Sequence, residues 1–238
     1  MEKVINIKDF SFCYGVKKVL NNINISIEEG EIIGLLGENG AGKTTLLNCI
    51  YGILGKFDEI NVLSTTPCID NEIIKTNVSY IEDTPNLLDY LTADQYLHFI
   101  CKIENIDFNN IKKEINTLIL KFNLETDYSN KLLKDYSFGM KKKIHFIGNL
   151  IQKKKIILID EPTNGLDVGM VILLKKLIKE KNEREHTTML ISSHNTGFLK
   201  DVCDRVLLFN NGEIIKDICI DEQTDLELEF LKMKGEEH

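Results

Sequence analysis

No stretch of this 238-residue chain approaches the roughly 18 to 20 consecutive apolar residues that a bilayer crossing requires. Ile32 to Leu36 and Ile156 to Ile159 are apolar but short, which excludes a membrane channel built from this chain alone. Positive charge is in deficit as well: Lys and Arg total 29 against 37 Asp and Glu, for a formal charge of −8. That balance argues against a protein whose work is neutralising phosphate backbones, so no nucleic-acid partner is expected. Only 3 prolines and no Gly/Ser tract leave no candidate linker, and no internal repeat is found. Residues 1–238 therefore read as one domain. The start, MEKVINIKDFSF, lacks an apolar core behind a basic head, so it is not a secretory signal and a cytosolic chain is expected. Cys13, Cys49, Cys68, Cys101, Cys203 and Cys219 are scattered without a CxxC pair. They are expected to be buried small hydrophobes rather than metal ligands or redox partners.

Hydrophobic residues at 43% and charged residues at 28% are globular proportions. Ile23, Ile25 and Ile27 alternate with Asn24 and Ser26, the pattern of a strand with one buried face. EIIGLLG at 31–37 reads as a buried strand entering a glycine-rich turn, with a helix starting near Lys43. Between Ala93 and Leu150 the apolar spacing becomes helical, as at Tyr96, Leu97, Ile100 and Ile103. IILID at 156–160 and TTMLIS at 187–192 are apolar strands separated by a helix from about Val168 to Lys181, the grammar of a parallel sheet. Asn211-Gly212 between two apolar runs predicts a hairpin. The fold class expected is α/β, with a mainly parallel sheet, an N-terminal antiparallel β subdomain and a helical insert near 84–150.

Gly37-Glu38-Asn39-Gly40-Ala41-Gly42-Lys43-Thr44, followed by Thr45, fits G-x-x-x-x-G-K-[ST] at every specified position. Chance matches to that pattern in a chain of this length are on the order of 0.01. Its glycines let successive backbone N–H groups point inward as an anion nest, and the helix that follows faces the same anion with its positive end. Lys43 is expected to reach the β- and γ-phosphates of ATP, and Thr44 to offer its hydroxyl to Mg²⁺. A second cue is Ile-Ile-Leu-Ile-Asp-Glu at 156–161, where two acids end an apolar strand, a costly place for charge unless something uses it. If that strand lies beside the phosphate-loop strand, Asp160 can hold Mg²⁺ and Glu161 can orient and deprotonate an attacking water.

Taken together these residues resemble the ATP-binding subunits of ABC transporters, over nearly the whole chain. Asp160-Glu161 is followed by Pro162-Thr163-Asn164-Gly165-Leu166-Asp167, similar to the family's D-loop, which implies that Asp167 communicates across a dimer. Ile191-Ser192-Ser193-His194 resembles the switch region, which gives His194 a γ-phosphate contact. Tyr14 matches the aromatic residue that stacks on adenine. Tyr136-Ser137-Phe138-Gly139-Met140 stands at the family signature, with Phe138 for the first glycine and Met140 for glutamine, as in bacterial drug, antibiotic-peptide and lantibiotic exporters. Ser137, a natural helix N-cap, Gly139 and Met140 are then expected at the nucleotide bound by a partner subunit. Lys141, Lys142 and Lys143 read as a solvated helix face. At the Q-loop, Asp83 stands where glutamine or glutamate is usual and becomes the expected water-mediated metal contact; a register slip of one would give Glu82 that role. The resemblance implies an ATPase that clamps MgATP in a head-to-tail dimer and passes the motion to separate transmembrane permease subunits, on the inner face of the cell membrane. Export of a peptide, drug or lipid is expected. The alternative is a soluble ABC ATPase, for example of the iron–sulfur assembly type.

Overall fold

The computed structural model describes residues 2–235. A long antiparallel pair opens it, β1 (Lys3–Tyr14) against β2 (Lys17–Glu28), with β4 (Ile60–Val62) added on the other side of β1. The alternation read in β2 holds: Ile23, Ile25 and Ile27 are buried, while Asn24 and Ser26 are not. Between them in sequence come β3 (Ile32–Leu36) and α1 (Lys43–Tyr51). Then follow α2 (Glu72–Asn77), β5 (Val78–Ile81), α3 (Ala93–Ile103), α4 (Phe108–Lys121), α5 (Phe138–Leu150) and β6 (Ile156–Asp160). The chain ends with α6 (Val168–Glu185), β7 (Thr188–Ser193), α7 (Thr196–Val202), β8 (Arg205–Asn210), β9 (Glu213–Cys219) and α8 (Leu226–Lys234).

The main sheet runs β5-β6-β7-β3-β8-β9, parallel throughout except for the β8–β9 hairpin at Asn211-Gly212. Every residue of β3, β6 and β7 is buried, because both faces of the sheet are covered. The pleat divides them between two cores. Ile33, Leu35, Ile156, Leu158 and Leu190 pack with α1 and the antiparallel sheet, whereas Ile32, Leu36, Ile157, Ile159 and Ile191 pack with the helices on the other face. At about 25 cal/mol per Å² of apolar surface this two-sided burial is the main force holding the central strands. Residues 82–155, which carry α3, α4 and α5, form the crossover between the neighbouring strands β5 and β6. α3 begins with a capping box between Thr92 and Gln95, as its sequence invites.

Two expectations change. The acid-bearing strand β6 is not beside the phosphate-loop strand β3, because β7 lies between them. Cys49, Cys101 and Cys203 are buried, but Cys13 and Cys219 are exposed, Cys13 near the end of β1 beyond its pairing with β4 and Cys219 at the end of the edge strand β9. Leu226, Phe230 and Met233, apolar residues at helical spacing in the acidic stretch 221–238, lie on α8, and residues 236–238 lie outside the described residues. Among the described residues no helix is long and apolar enough to cross a membrane.

Candidate active site

The turn after β3 leads into α1 through Gly42, whose φ of +111° is a conformation that glycine takes without strain. No side chain caps α1, so its first amides remain directed at whatever occupies the turn. The turn is braced from behind: Gly37 N–H donates to Ser193 O at 3.4 Å, and Gly212 N–H of the β8–β9 hairpin donates to Ala41 O at 2.8 Å. Lys43 is buried, its Nζ donating to Gly37 O at 2.7 Å and Glu38 O at 3.0 Å, with Glu161 Oε1 at 3.3 Å. The ammonium therefore stands between the phosphate turn and the end of β6.

Although β7 intervenes, α1 leans far enough over the sheet for Thr44 Oγ1 to donate to Asp160 Oδ2 at 2.7 Å. The other oxygen, Asp160 Oδ1, accepts from Ser192 Oγ of β7. Glu161, the next residue, has a φ of +42°, rare for a residue with a Cβ, and its amide donates to Ser192 O at 3.1 Å. Backbone strain of this kind costs about 1–3 kcal/mol and persists only where the surroundings hold it. The result aims the carboxylate at the phosphate turn. His194 Nδ1 lies 2.9 Å from Glu161 Oε2, and Glu161 Oε1 is buried yet accepts no hydrogen bond from the described residues.

Asn39, Gly40, Gly42, Lys43, Thr44, Thr45, Asp83, Asp160, Glu161 and Asn164 thus line one cavity of about 290 Å³. Asp83, not Glu82, reaches this cavity; Glu82 lines an adjoining one with Tyr80 and Asp160. Burial raises the Glu82 carboxyl above its ordinary range, and the charge of Asp160 adds to that. Thr44 and Asp160 offer hard oxygens of the kind Mg²⁺ selects. Among the described residues no group of three or more His, Cys, Asp or Glu side chains could hold a metal by itself. The donors present therefore fit an ion that takes its remaining ligands from phosphates and water.

The other expected residues do not line this cavity. Ser137 caps α5, accepting from Met140 N at 3.3 Å, and is exposed. Phe138 lies against Gly165, where a Cβ would meet its ring at 2.7 Å, so the departure from glycine in the signature is matched by a glycine in the turn after β6. Gly139 approaches the same turn. Asp167 is exposed and caps α6 through Met170 N at 3.0 Å. Tyr14, at the exposed end of β1, is 49% accessible and packs edge-on against Phe12.

One expectation fails outright. The lysine run at 141–143 is not a solvated face: Lys142 is fully buried, and Lys141 is ion-paired to Asp89 at 2.8 Å. Lys142 Nζ donates to Asp83 Oδ1 at 3.0 Å, Glu161 O at 2.7 Å and Asn164 O at 3.0 Å. Burial pulls the Lys142 ammonium below its ordinary range, while Asp83, Glu161 and Asp160 oppose that pull. Its place four residues before the buried Phe146 on α5 is the available signal of an inward side chain.

Comparison with known proteins gives the same picture. The family model described as "ABC transporter" matches residues 20–164. The chain is 28% identical over 237 residues to the SkfA peptide export ATP-binding protein SkfE of Bacillus subtilis, spanning 98% of each chain. It is 32% identical over 202 residues to the ABC transporter ATP-binding protein NatA of the same organism, covering 84% of this chain and 81% of the relative. In structure it resembles the dimeric post-hydrolysis state of an ATP-binding cassette bound to ADP and Pi, with a TM-score of 0.78 at 22% identity over 91% of this chain and 99% of the other.

Proposed function

The chain belongs to the ABC transporter family of ATP-binding subunits, and on that premise we propose that Glu161 is the general base of its ATPase, within a site completed by a second subunit. The observation that carries this reading is the unequal state of the two Glu161 oxygens. His194 Nδ1 holds Oε2 at 2.9 Å, whereas Oε1 is buried and meets only the Lys43 ammonium, in an ion pair at 3.3 Å. A base needs a positioned lone pair, and Oε1 supplies one once Lys43 turns from it to phosphate.

Around it, the amides of Gly40 and Gly42 and the start of α1 hold the phosphates, with Glu38, Asn39, Ala41 and Thr45 shaping the turn. Lys43 exchanges its carbonyl partners for phosphate oxygens. Thr44 and Asp160 would hold Mg²⁺, with Asp83 contributing through water from the oxygen that Lys142 does not occupy, and the ion would supply charge neutralisation to the phosphates. His194 keeps the Glu161 carboxylate in line and reaches the γ-phosphate. Ser137, Gly139, Met140 and Asp167 face the nucleotide of the partner subunit, and Tyr14 stacks on adenine.

The motion is passed to separate permease subunits through the insert of residues 84–150. An apolar hollow lined by Leu87, Leu88, Tyr90, Leu91 and Phe99, directly after Asp83, supports this reading. Tyr90 is 83% accessible there, and a cytoplasmic helix of the permease is the occupant. Export of a peptide or a similar amphipathic molecule at the inner face of the membrane follows from the signature sequence and from the likeness to a peptide-export subunit. Glu161→Gln tests the base: turnover should fall about 10²- to 10⁴-fold. Binding of ATP should persist, and an ATP-dependent dimer should accumulate on size exclusion. Turnover near the native rate would remove Glu161 from the role.

A further inference from the structure

Lys142 is fully buried, and its three N–H donors meet three acceptors from two segments far apart in sequence, the loop after β5 and the turn after β6. Asp83 Oδ1 comes from the loop after β5, Glu161 O from the end of β6, and Asn164 O from the turn beyond it. Asp83 Oδ1 also accepts from Asn164 Nδ2 at 3.2 Å. The ammonium lies 5.7 Å from the centroid of the Phe138 ring, which itself rests on Gly165. A charge is taken out of water at a cost of several kcal/mol, so its partners must be well placed for the arrangement to persist.

What those partners share is the strained turn. Glu161 has its φ at +42°, and both carbonyls held by Lys142 belong to the four residues from Glu161 to Asn164. A tie on the Glu161 carbonyl fixes the backbone from which the carboxylate projects, while the tie on Asp83 joins that backbone to the loop leading into the Leu87–Leu91 hollow. The residue at position 83 departs from glutamine to a carboxylate, and the carboxylate is answered by a buried cation 59 residues away.

We infer that Lys142 is a positioning residue for ATP hydrolysis, holding the Glu161–Asn164 turn in its strained form and tying it to Asp83 ahead of the permease-facing loop. The inference rests on Glu161 being the base. Its mark is a loss in kcat with nucleotide affinity intact, because Lys142 touches the base's backbone and none of the residues that hold phosphate. The full chain is assayed for steady-state ATP turnover and for binding of a fluorescent ATP analogue. Lys142→Met should lower kcat about 10- to 100-fold, the cost of a misplaced catalytic group, with KM and analogue affinity within about twofold. Asp83→Asn keeps a side-chain oxygen for the metal contact proposed above and weakens one of the three ties, so it should cost less; combining it with Lys142→Met should cost no more than Lys142→Met alone, in which that tie is already lost. Lys142→Arg, which keeps the charge, should recover part of the loss. Native kcat in Lys142→Met, or losses that multiply in the double variant, would overturn the inference. If Lys142→Met does not fold, Lys142→Gln with Asp83→Asn replaces the ion pair by neutral hydrogen bonds; reduced kcat at unchanged KM supports the role, and native kcat overturns it. A Glu161→Gln variant with full turnover would instead remove the base, a separate failure.

Discussion

The phosphate turn ahead of α1 and the starts of α5 and α6 are unlike halves of the candidate site. At the phosphate turn, Lys43, Asp160 and Glu161 are all buried and in contact within one chain. At the start of α5, Ser137 and Phe138 are exposed, and so is Asp167 at the start of α6. Burial in the first half shows a cluster that satisfies its own charges: Lys43 against Glu161, Thr44 against Asp160, His194 against Glu161. The second half has helix starts and small residues on the surface, suited to a ligand brought from outside the chain. A site whose machinery is half packed and half presented is what the two-subunit arrangement proposed above requires.

The largest effect expected from this contrast comes from breaking each half in a different copy. Lys43→Ala removes a charged donor to phosphate, a loss of about 1.5–3 kcal/mol, and should weaken ATP binding about 10- to 150-fold. Ser137→Arg should leave binding to the isolated chain unchanged and abolish dimer-dependent turnover. Mixed in equal amounts, half the dimers pair one of each, and each such dimer keeps one of two sites intact, so about a quarter of native turnover should return. No recovery on mixing would mean that the exposed half does not serve a second copy of this chain.

A smaller effect separates the exposed start of α5 from its buried middle. His145, one turn beyond Lys142, is buried with Nδ1 unpartnered, and burial, aided by the Lys142 charge, pushes it down to about 4. The folded imidazole therefore resists a proton that the unfolded chain accepts near pH 6.5. Its contribution to stability is complete above that pH and is lost as pH falls toward 4. Between pH 6.5 and 5 the loss should be about 1.5 kcal/mol. Urea midpoints at those pH values should converge in His145→Leu, and an unchanged pH slope would show that the middle of α5 is as open to water as its start.

Much of the packed half was legible. Gly37 to Thr44 and Ile156 to Glu161 are contiguous, and contiguity is what a sequence displays. Ser137 as a cap and Asn211-Gly212 as a hairpin were equally local. Lys142 was misread because a lysine's burial is decided by its acceptors, and these lie at Asp83, Glu161 and Asn164, in segments the run at 141–143 does not reveal. Lys154 and Lys181 repeat the lesson: each is buried on carbonyls distant in sequence, Lys75 O for the first and Leu150 O and Gln152 O for the second. The short strands β4 and β5 carry too few residues for a period to register, and tertiary pairing with β1 and β6 decides them.

The smallest expected effect tests whether the packed half ends at its own turn. Lys234, in the last turn of α8, lies 2.8 Å from Glu38 of the phosphate turn, linking the C-terminal helix to the nucleotide cavity. Glu38 is more than half exposed, and exposed ion pairs contribute about 0–1 kcal/mol while salt screens them. Lys234→Ala should therefore change the KM for ATP by less than about twofold, and 0.5 M NaCl should reduce even that difference. Phe230 and Met233 hold α8 against the core independently of the pair, so the helix should remain docked in the variant. A KM shift of tenfold would make α8 part of the phosphate-binding half and move the boundary between the two halves out to the C-terminus.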